Sequence, residues 1–423
     1  MIIGSLHQTI NNGEIRISSK IEWSVPHTTF PEHLWYQFPK VYGDQDEYNS
    51  DAFLASLTVI AMFYKEDIHV CGKVSSNLLY NLREYQERLH FWNPADFSII
   101  KITTDSVIPS SVNVDDEKGV MCSYSGGVDS TYTLWTHLPQ NEINKDFQVT
   151  HSMYIEGIDL QEGADTSAAK NKTFSKFMSS IDIKFIPVST NIRHFHVFQI
   201  GSIQVPTKLY YTWSSMVIGT SLLFDSVIKR FYFSLDNTHE WPIQCTIGNY
   251  VANLLSTNNV DVLTDGGSVS KIEKIKVISK WEDTYDKLTI CHESPKGLQN
   301  CGECEKCSML STALEMENVL GKYSTFPDTV DRKIVRKGVY IKEHYYYLQA
   351  WISFAETKRR KDIAFDYTYI LYKSRLLHHV KIGQKVMCNF SMFISPVHNM
   401  YRLSYILKQY SPKYARFITF VKS

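Results

Sequence analysis

The residues with the most chemical content in this 423-residue chain are Ser125-Gly126-Gly127-Val128-Asp129-Ser130 and the Thr131 that follows. Two adjacent glycines let a backbone turn tightly and approach an anion with no Cβ in the way. A helix opening directly after such a turn presents free N–H groups and the positive end of its dipole to phosphate. Ser125, Ser130 and Thr131 add hydroxyl donors, and Asp129 is placed to hold the loop or to share in binding Mg²⁺. A second group, Ser270-Lys271-Ile272-Glu273, has the spacing of a capping box at a helix start, with Lys274 beside it. The third is a crowd of thiols: Cys291, Cys301, Cys304 and Cys307 follow the pattern C-x9-C-x2-C-x2-C. Four thiolates so spaced can surround one tetrahedral Zn²⁺, and the CxxCxxC part can also feed an iron–sulfur cluster. Cys71, Cys122, Cys245 and Cys388 have no such spacing and read as ordinary core or surface residues.

The SGGVDS loop resembles the signature of the PP-loop ATP pyrophosphatases, which split ATP between its α and β phosphates. The GxxxxGK[ST] loop of other nucleotide-binding proteins does not occur in the chain. The resemblance implies that Ser125, Gly126, Gly127, Val128, Asp129, Ser130 and Thr131 hold the phosphates of ATP, and that backbone groups of Met153, Tyr154 and Ile155 face the adenine. It also implies a lysine near the start of a late helix that reaches the phosphates. Lys271 matches it, with Lys274 as a spare, and a cation there would offset the charge growing on pyrophosphate. Asp129 and Lys271 are then the expected catalytic pair.

Together, SGGVDS upstream and CHESPKGLQNCGECEKC downstream resemble the QueC-like 7-cyano-7-deazaguanine synthases over roughly residues 118–315. In length the chain is similar to the long members of that family encoded in bacterial antiviral operons. It departs from the pattern in a slightly longer gap after Cys291, in the regions that precede and follow the core, and in a loosely matching middle, Ile192–Asn259. The resemblance implies a structural Zn²⁺ on the four cysteines. It also implies activation of a 7-carboxy-7-deazaguanine carboxylate as an AMP adduct, followed by attack of ammonia to give an amide or nitrile. Such chemistry asks mainly for alignment of carboxylate and α-phosphate and for exclusion of water. Substrate contacts are expected from loops at strand ends: Asp236, Asn237, His239 and Trp241 after one strand, Asn191 and Arg193 after another. His194 and His196 alternate with aromatics and read as packing residues. Three rival readings stand beside this one: a PP-loop tRNA-modifying enzyme, the same activation used to join deazaguanine to an amine of a partner protein, and a degenerate ATP-binding scaffold, against which the intact SGGVDS argues.

The elements that must position these residues are legible as periodicities. Residues 13–25 alternate like a strand, and a helix with Leu78, Leu82, Tyr85 and Leu89 on one face runs from Ser75 and Ser76 to Asn93-Pro94. Ile68–Cys71 and Ser98–Thr104 are strand-like, and Ser106–Glu117 reads as a linker. From Lys118 strands and helices alternate: strand Val120–Tyr124, a helix through Trp135, strand Val149–Ile155, helix Thr166–Ile181, strand Ile183–Ser189, helix Tyr210–Phe224, strand Arg230–Leu235 and strand Val260–Leu263. That rhythm predicts an α/β fold with a parallel sheet wrapped by helices, where ligands gather at the carboxyl ends of the strands. The expected organisation is an α+β accessory region at 1–117, the ATP-binding domain with its four-cysteine zinc loop at 118–322, and a mostly helical, Tyr-rich region at 323–423.

Composition is that of a globular protein, 43% hydrophobic and 21% charged. No apolar run reaches membrane length, Leu54–Tyr64 being too short, and the first residues lack the pattern of a secretory signal, so a cytoplasmic protein is expected. The net charge of zero hides an asymmetry. Residues 331–423 carry 18 Lys and Arg against 5 Asp and Glu, which leaves 26 against 39 in the rest. Either the basic segment pairs with acidic residues of its own chain, or it docks a partner, a protein ahead of a nucleic acid because its tyrosines and arginines suit protein interfaces.

Overall fold

Nine residues of alternating character, Glu14–Glu22, make the first long strand of the computed structural model and bury Ile15, Ile17, Ser19 and Ile21. Residues 1–379 are described apart from 25–29, 44–46, 111–116, 159–163, 201–202, 207–208, 240–249, 292–296 and 341–343. Val25, Trp241, Cys245, Cys388 and the basic tail beyond His379 therefore lie outside the described residues.

Thirteen strands are described: β1 (Ile2–Ile3), β2 (His7–Asn11), β3 (Glu14–Glu22), β4 (His33–Pro39), β5 (Ile68–Ser75), β6 (Ile102–Ile108), β7 (Gly119–Ser123), β8 (His151–Glu156), β9 (Lys184–Thr190), β10 (Val197–Ile200), β11 (Ile203–Pro206), β12 (Ile228–Ser234) and β13 (Asp261–Asp265). Eleven share one sheet in the order β13-β12-β7-β8-β9-β4-β3-β1-β5-β6, with β2 on β3. From β13 to β9 every pairing is parallel. The segment before residue 118 continues this sheet, because β4 pairs antiparallel with β9 through Tyr36↔Thr190 and Gln37↔Ser189. The chain is thus α/β, built on a mostly parallel sheet flanked by helices.

Both faces of the parallel strands are covered, so their side chains alternate between two cores. Met121, Met153, Ile155, Phe231 and Phe233 enter one cluster, with α1 (Asp51–Tyr64), α2 (Ser76–Trp92) and α5 (Leu209–Ser221) contributing to it. Val120, Cys122, Tyr124, Tyr154 and Tyr232 enter the other, with residues of α3 (Val128–Thr136) and α4 (Ala164–Ser180). The apolar run within α1 is buried on all sides. A Cβ on Gly219 of α5 would stand 2.1 Å from Ser56 Oγ of α1, so this close crossing requires glycine. Among the described residues no helix is long and apolar enough to cross a membrane.

The strand expected at Ser98–Thr104 lies further on, at β6. Ser98 N–H is taken by Met62 O at 3.0 Å and Ile100 N–H by Gln86 Oε1 at 2.8 Å, which ties residues 98–100 to the helices before pairing with β5 begins.

By contact the chain forms two units. The first holds Met1–His196, Leu209–Cys301 and Lys322–Thr325, and so contains the whole large sheet and α6 (Lys271–Ile278). The second holds Val197–Lys208, Gly302–Gly321 and Phe326–Ser423. It comprises the hairpin β10–β11 and the helices α7 (Glu305–Met316), α8 (Arg332–Lys337), α9 (Tyr345–Thr357) and α10 (Lys361–His379). Residues 302–321 thus group with the C-terminal helices and not with the sheet. Within this unit Asp366, fully buried, is gripped by Arg332 and Arg336.

Candidate active site

Chain order along the parallel strands reverses at β7: β8 and β9 follow on one side of it, β12 and β13 on the other. In open α/β sheets the crevice at the carboxyl ends beside such a reversal is where ligands bind. The SGGVDS loop fills that place. Tyr124 N–H bonds Met153 O at 2.8 Å, and the chain then leaves the sheet and enters α3 at Val128. Gly126 has φ +77°, and a Cβ on it would meet Phe174 Cζ and Thr289 Cγ2 at 2.8 Å, so both backbone shape and space demand glycine. Gly127 occupies the N-cap of α3 in an extended conformation, and no side chain caps it. The first N–H groups of α3 therefore form the kind of anion cradle that helix N-termini provide. The serines brace the loop: Ser125 Oγ accepts from Gly127 N–H at 3.3 Å and lies 3.1 Å from Ser130 Oγ, which donates to Gly127 O at 3.2 Å. Thr131, also in the first turns of α3, is buried.

Two lysines from α6 converge on Asp129. Ser270 and Glu273 form a complete capping box that fixes the start of this helix. Lys271 pairs with Asp129 Oδ2, and Lys274 with Oδ1 at 3.1 Å. Lys274 is 1% exposed against 23% for Lys271, and it also donates to Leu235 O at 2.5 Å. Gly266, at φ +78°, clears the way, since a Cβ there would sit 2.9 Å from Lys274 Nζ. Burial pushes the Asp129 carboxyl up, but Lys271 and Lys274 outweigh it and hold Asp129 below the usual carboxylate range. Asp236, just past β12, behaves in the opposite sense. Desolvation by the surrounding protein raises its pKa, Lys271 opposes this and Asp129 adds to it. The residue is nonetheless solvent-exposed.

Asp265, at the end of β13, accepts from Thr133 Oγ1 at 2.7 Å and lies 3.2 Å from His137 Nε2, pinning α3 from its far side. The His137 ring stacks on Tyr232 at 3.8 Å. Burial raises the Asp265 carboxyl, and the bonds from His137 and Thr133 outweigh it, leaving the pKa lowered.

The other sequence-derived residues fall as follows. Met153, Tyr154 and Ile155 are buried in β8. Met153 O is engaged by Tyr124, while strand alternation points the Ile155 N–H and C=O to the side that β7 has left. Asn237 is buried, and His239 is exposed with its N–H on Gly267 O at 2.8 Å. Trp241 is outside the described residues. Asn191 joins strands: its Oδ1 accepts from Trp35 N–H at 3.0 Å and its Nδ2 donates to His33 O at 2.8 Å. Arg193 and His196 are buried and His194 is exposed. Burial, with Arg193 adding, lowers the His196 pKa to about 3.

The ligand atoms of Cys291, Cys301, Cys304 and Cys307 all lie within 4.8 Å of one another. Such a set can hold one metal ion and is compatible with zinc. Asn300, buried, organises the approach: its Oδ1 accepts from Ile290 N–H at 2.9 Å and Cys291 N–H at 3.2 Å, while its Nδ2 donates to Leu288 O and Thr325 O. Cys304 caps α7, its Sγ accepting from Cys307 N–H at 3.4 Å. A concavity of about 540 Å³ lined by Glu315, Asp328, Arg332, Arg360 and Asp362 includes none of the loop or cysteine residues, and both of its arginines pair with carboxylates.

Sequence reasoning passed over Asp265, Thr289 and Asn300. Asp265-Gly266-Gly267 was a readable signal, a carboxylate and two glycines directly after a strand, but bonds made by Thr289 N–H or the Asn300 amide leave no trace in composition or period. Compared with known proteins, the chain matches no protein-family model, no curated protein and no solved structure.

Proposed function

We propose that the chain is an ATP pyrophosphatase of the PP-loop kind that activates a carboxylate of the 7-carboxy-7-deazaguanine class for attack by ammonia or an amine. The observation that carries this reading is the convergence of Lys271 and Lys274 on Asp129 beside an uncapped glycine loop at the strand-order reversal. An N–H cradle with two adjacent cations suits a polyphosphate that must leave as pyrophosphate. Bound Mg²⁺ would add charge neutralisation on the phosphates, with Asp129 the nearest carboxylate of the loop. Asp129 holds both lysines beside the loop until phosphate competes for them. Lys271, the more open of the two, meets the charge on the departing group, while Lys274 fixes the floor at Leu235. Asp236, whose carboxyl feels Lys271 and Asp129, and Asn237 and His239 just after it are the side chains offered to the base. The four cysteines hold a zinc that braces the loop and takes no part in the reaction.

The test is to incubate the protein with ATP, Mg²⁺ and 7-carboxy-7-deazaguanine, with and without ammonium, and to measure pyrophosphate and ADP side by side. Substrate-dependent pyrophosphate and AMP are expected, and ADP with orthophosphate would remove the reading. The mass of the base-derived product tells an amide or nitrile from a conjugate to a protein amine.

A further inference from the structure

Strands β5 and β6 carry a second group of metal-ligand side chains, separate from the cysteine cluster. Their parallel register pairs His69 with Thr103 and Val70 with Thr104, then shifts so that Lys73 pairs with Ser106. Cys71 and Gly72 thus stand against Asp105 alone, a bulge on the edge of the sheet. Val70 is in the core, so His69 and Cys71, one residue to either side, share the opposite face. The ligand atoms of His69, Cys71 and Asp105 lie within 4.8 Å of one another.

The Thr103 hydroxyl sits beside the His69 ring. Thr103 Oγ1 lies 3.3 Å from Ile68 O, within reach of its hydroxyl proton. Thr103 Oγ1 also lies 3.0 Å from His69 Nδ1, and with its proton on Ile68 O it accepts from Nδ1–H. In that tautomer Nε2 offers its lone pair, and it lies 3.1 Å from Asp105 Oδ1. A proton on Nε2 or a metal ion between the two atoms accounts for that approach. A metal with N and O ligands at about 2.0–2.2 Å on tetrahedral directions separates them by roughly that distance. A hydroxyl holding Nδ1–H is also the outer-shell partner that ligating histidines have.

We propose that His69, Cys71 and Asp105 form a second binding site for a divalent cation of the zinc class, with a fourth position open to water or a ligand. One imidazole, one thiolate and one carboxylate favour a borderline metal over Ca²⁺ or Mg²⁺. Three protein ligands with an open position is the pattern of reactive, not structural, zinc sites. The site is independent of the ATP reading, because none of its residues belongs to the loop, α6 or the cysteine cluster.

The test loads the purified full-length protein with zinc at the cysteine cluster and then titrates it with Co²⁺, following the near-ultraviolet sulfur-to-cobalt band and the visible bands. One additional equivalent should bind with thiolate character. Cys71→Ser should abolish the sulfur band, Asp105→Asn should weaken binding more than tenfold, and Thr103→Val should weaken it about tenfold by freeing the ring. Zinc content at the cysteine cluster should stay constant in all three. Absence of Co²⁺ binding in the wild type would overturn the proposal, leaving His69 and Asp105 as a hydrogen-bonded pair. A sulfur band that persists in Cys71→Ser would overturn it as well.

Discussion

Thr289 N–H donates to the carbonyl of Gly126 at 2.8 Å, joining the cysteine-bearing segment directly to the glycine loop. Thr289 stands two residues before Cys291, and Asn300 Oδ1 accepts from the intervening Ile290 N–H and from Cys291 N–H. A metal on the four cysteines would therefore fix the residue that closes one side of the phosphate loop. Removing it should act on nucleotide binding as well as on stability.

Cys304→Ser is the first test of that coupling. It should lower bound zinc and melting temperature together, and weaken ATP binding by on the order of tenfold, although Cys304 belongs to no phosphate-binding element. Metal analysis, a thermal melt and nucleotide titration of one preparation check it. Normal ATP affinity in zinc-free protein would show that the loop stands without the clasp.

The two lysines on Asp129 should separate by function. Lys274→Ala removes a buried cation that holds both Asp129 and Leu235 O, and should cost about 2–3 kcal/mol of stability. Lys271→Ala removes the more exposed partner, so stability should fall by less than about 1 kcal/mol. Pyrophosphate release should meanwhile drop by roughly 10²–10³. Urea unfolding and turnover of both variants decide the matter. Equal loss of stability in the two would contradict the difference in burial.

Asp51, buried at the start of α1, gives a pH signature. Burial raises its pKa to about 7, against the bonds from Ser75 that favour the charged form, with Asp225 adding a smaller push upward. Below about pH 4 the carboxyl is protonated in both folded and unfolded chains and contributes no difference. Between about 4 and 7 the unfolded chain ionises it while the fold keeps the proton, so stability falls as pH rises. Above 7 the penalty is constant, on the order of 4 kcal/mol from a shift of about three units. Buried His151 and His196, lowered to about 4 and 3, act in the opposite sense as pH falls below the usual histidine range. The difference between Asp51→Asn and wild type isolates the carboxyl: the variant's advantage should be absent at pH 4 and grow up to pH 7. A constant difference across that range would refute the assignment.

What the sequence made legible was whatever repeats or clusters locally. Val120–Tyr124 and Arg230–Leu235 read as strands because both faces are largely buried, Ile183–Ser189 because Ile183, Ile186 and Val188 are apolar and buried, and the four cysteines stood out by spacing alone. The continuation of the sheet through Tyr36↔Thr190 did not, since pairing between residues so far apart leaves no local pattern. Nor did the grouping of His69 and Cys71 with Asp105, which a bulge in β5 brings about. Lys274 read as a spare because burial, not type, distinguishes it from Lys271.

The basic run Lys358-Arg359-Arg360-Lys361 is partly neutralised at home. Within the second unit Lys358 pairs with Glu317 at 3.0 Å, and Arg360 reaches Glu315 and Asp362. Half of the run is thus engaged by carboxylates of its own unit, so part of the positive charge counted from the sequence is neutralised internally. Hydrogen bonds from Arg360 hold Asp362 at a pKa of about 2. Arg360→Ala should lower stability by about 1 kcal/mol, the scale of a partly exposed pair with more than one partner. Asp366→Asn should cost more, about 3 kcal/mol, because Arg332 and Arg336 converge on a fully buried carboxylate. Among the described residues no carboxylate pairs with Arg359 or Lys361, and neutralising both should leave the melting temperature within about 1 °C. If this face docks an acidic protein, that double variant should lose co-purification with it in a salt-dependent way while keeping its fold. Loss of a partner from Arg360→Ala alone, with stability intact, would show instead that these pairs open to receive it.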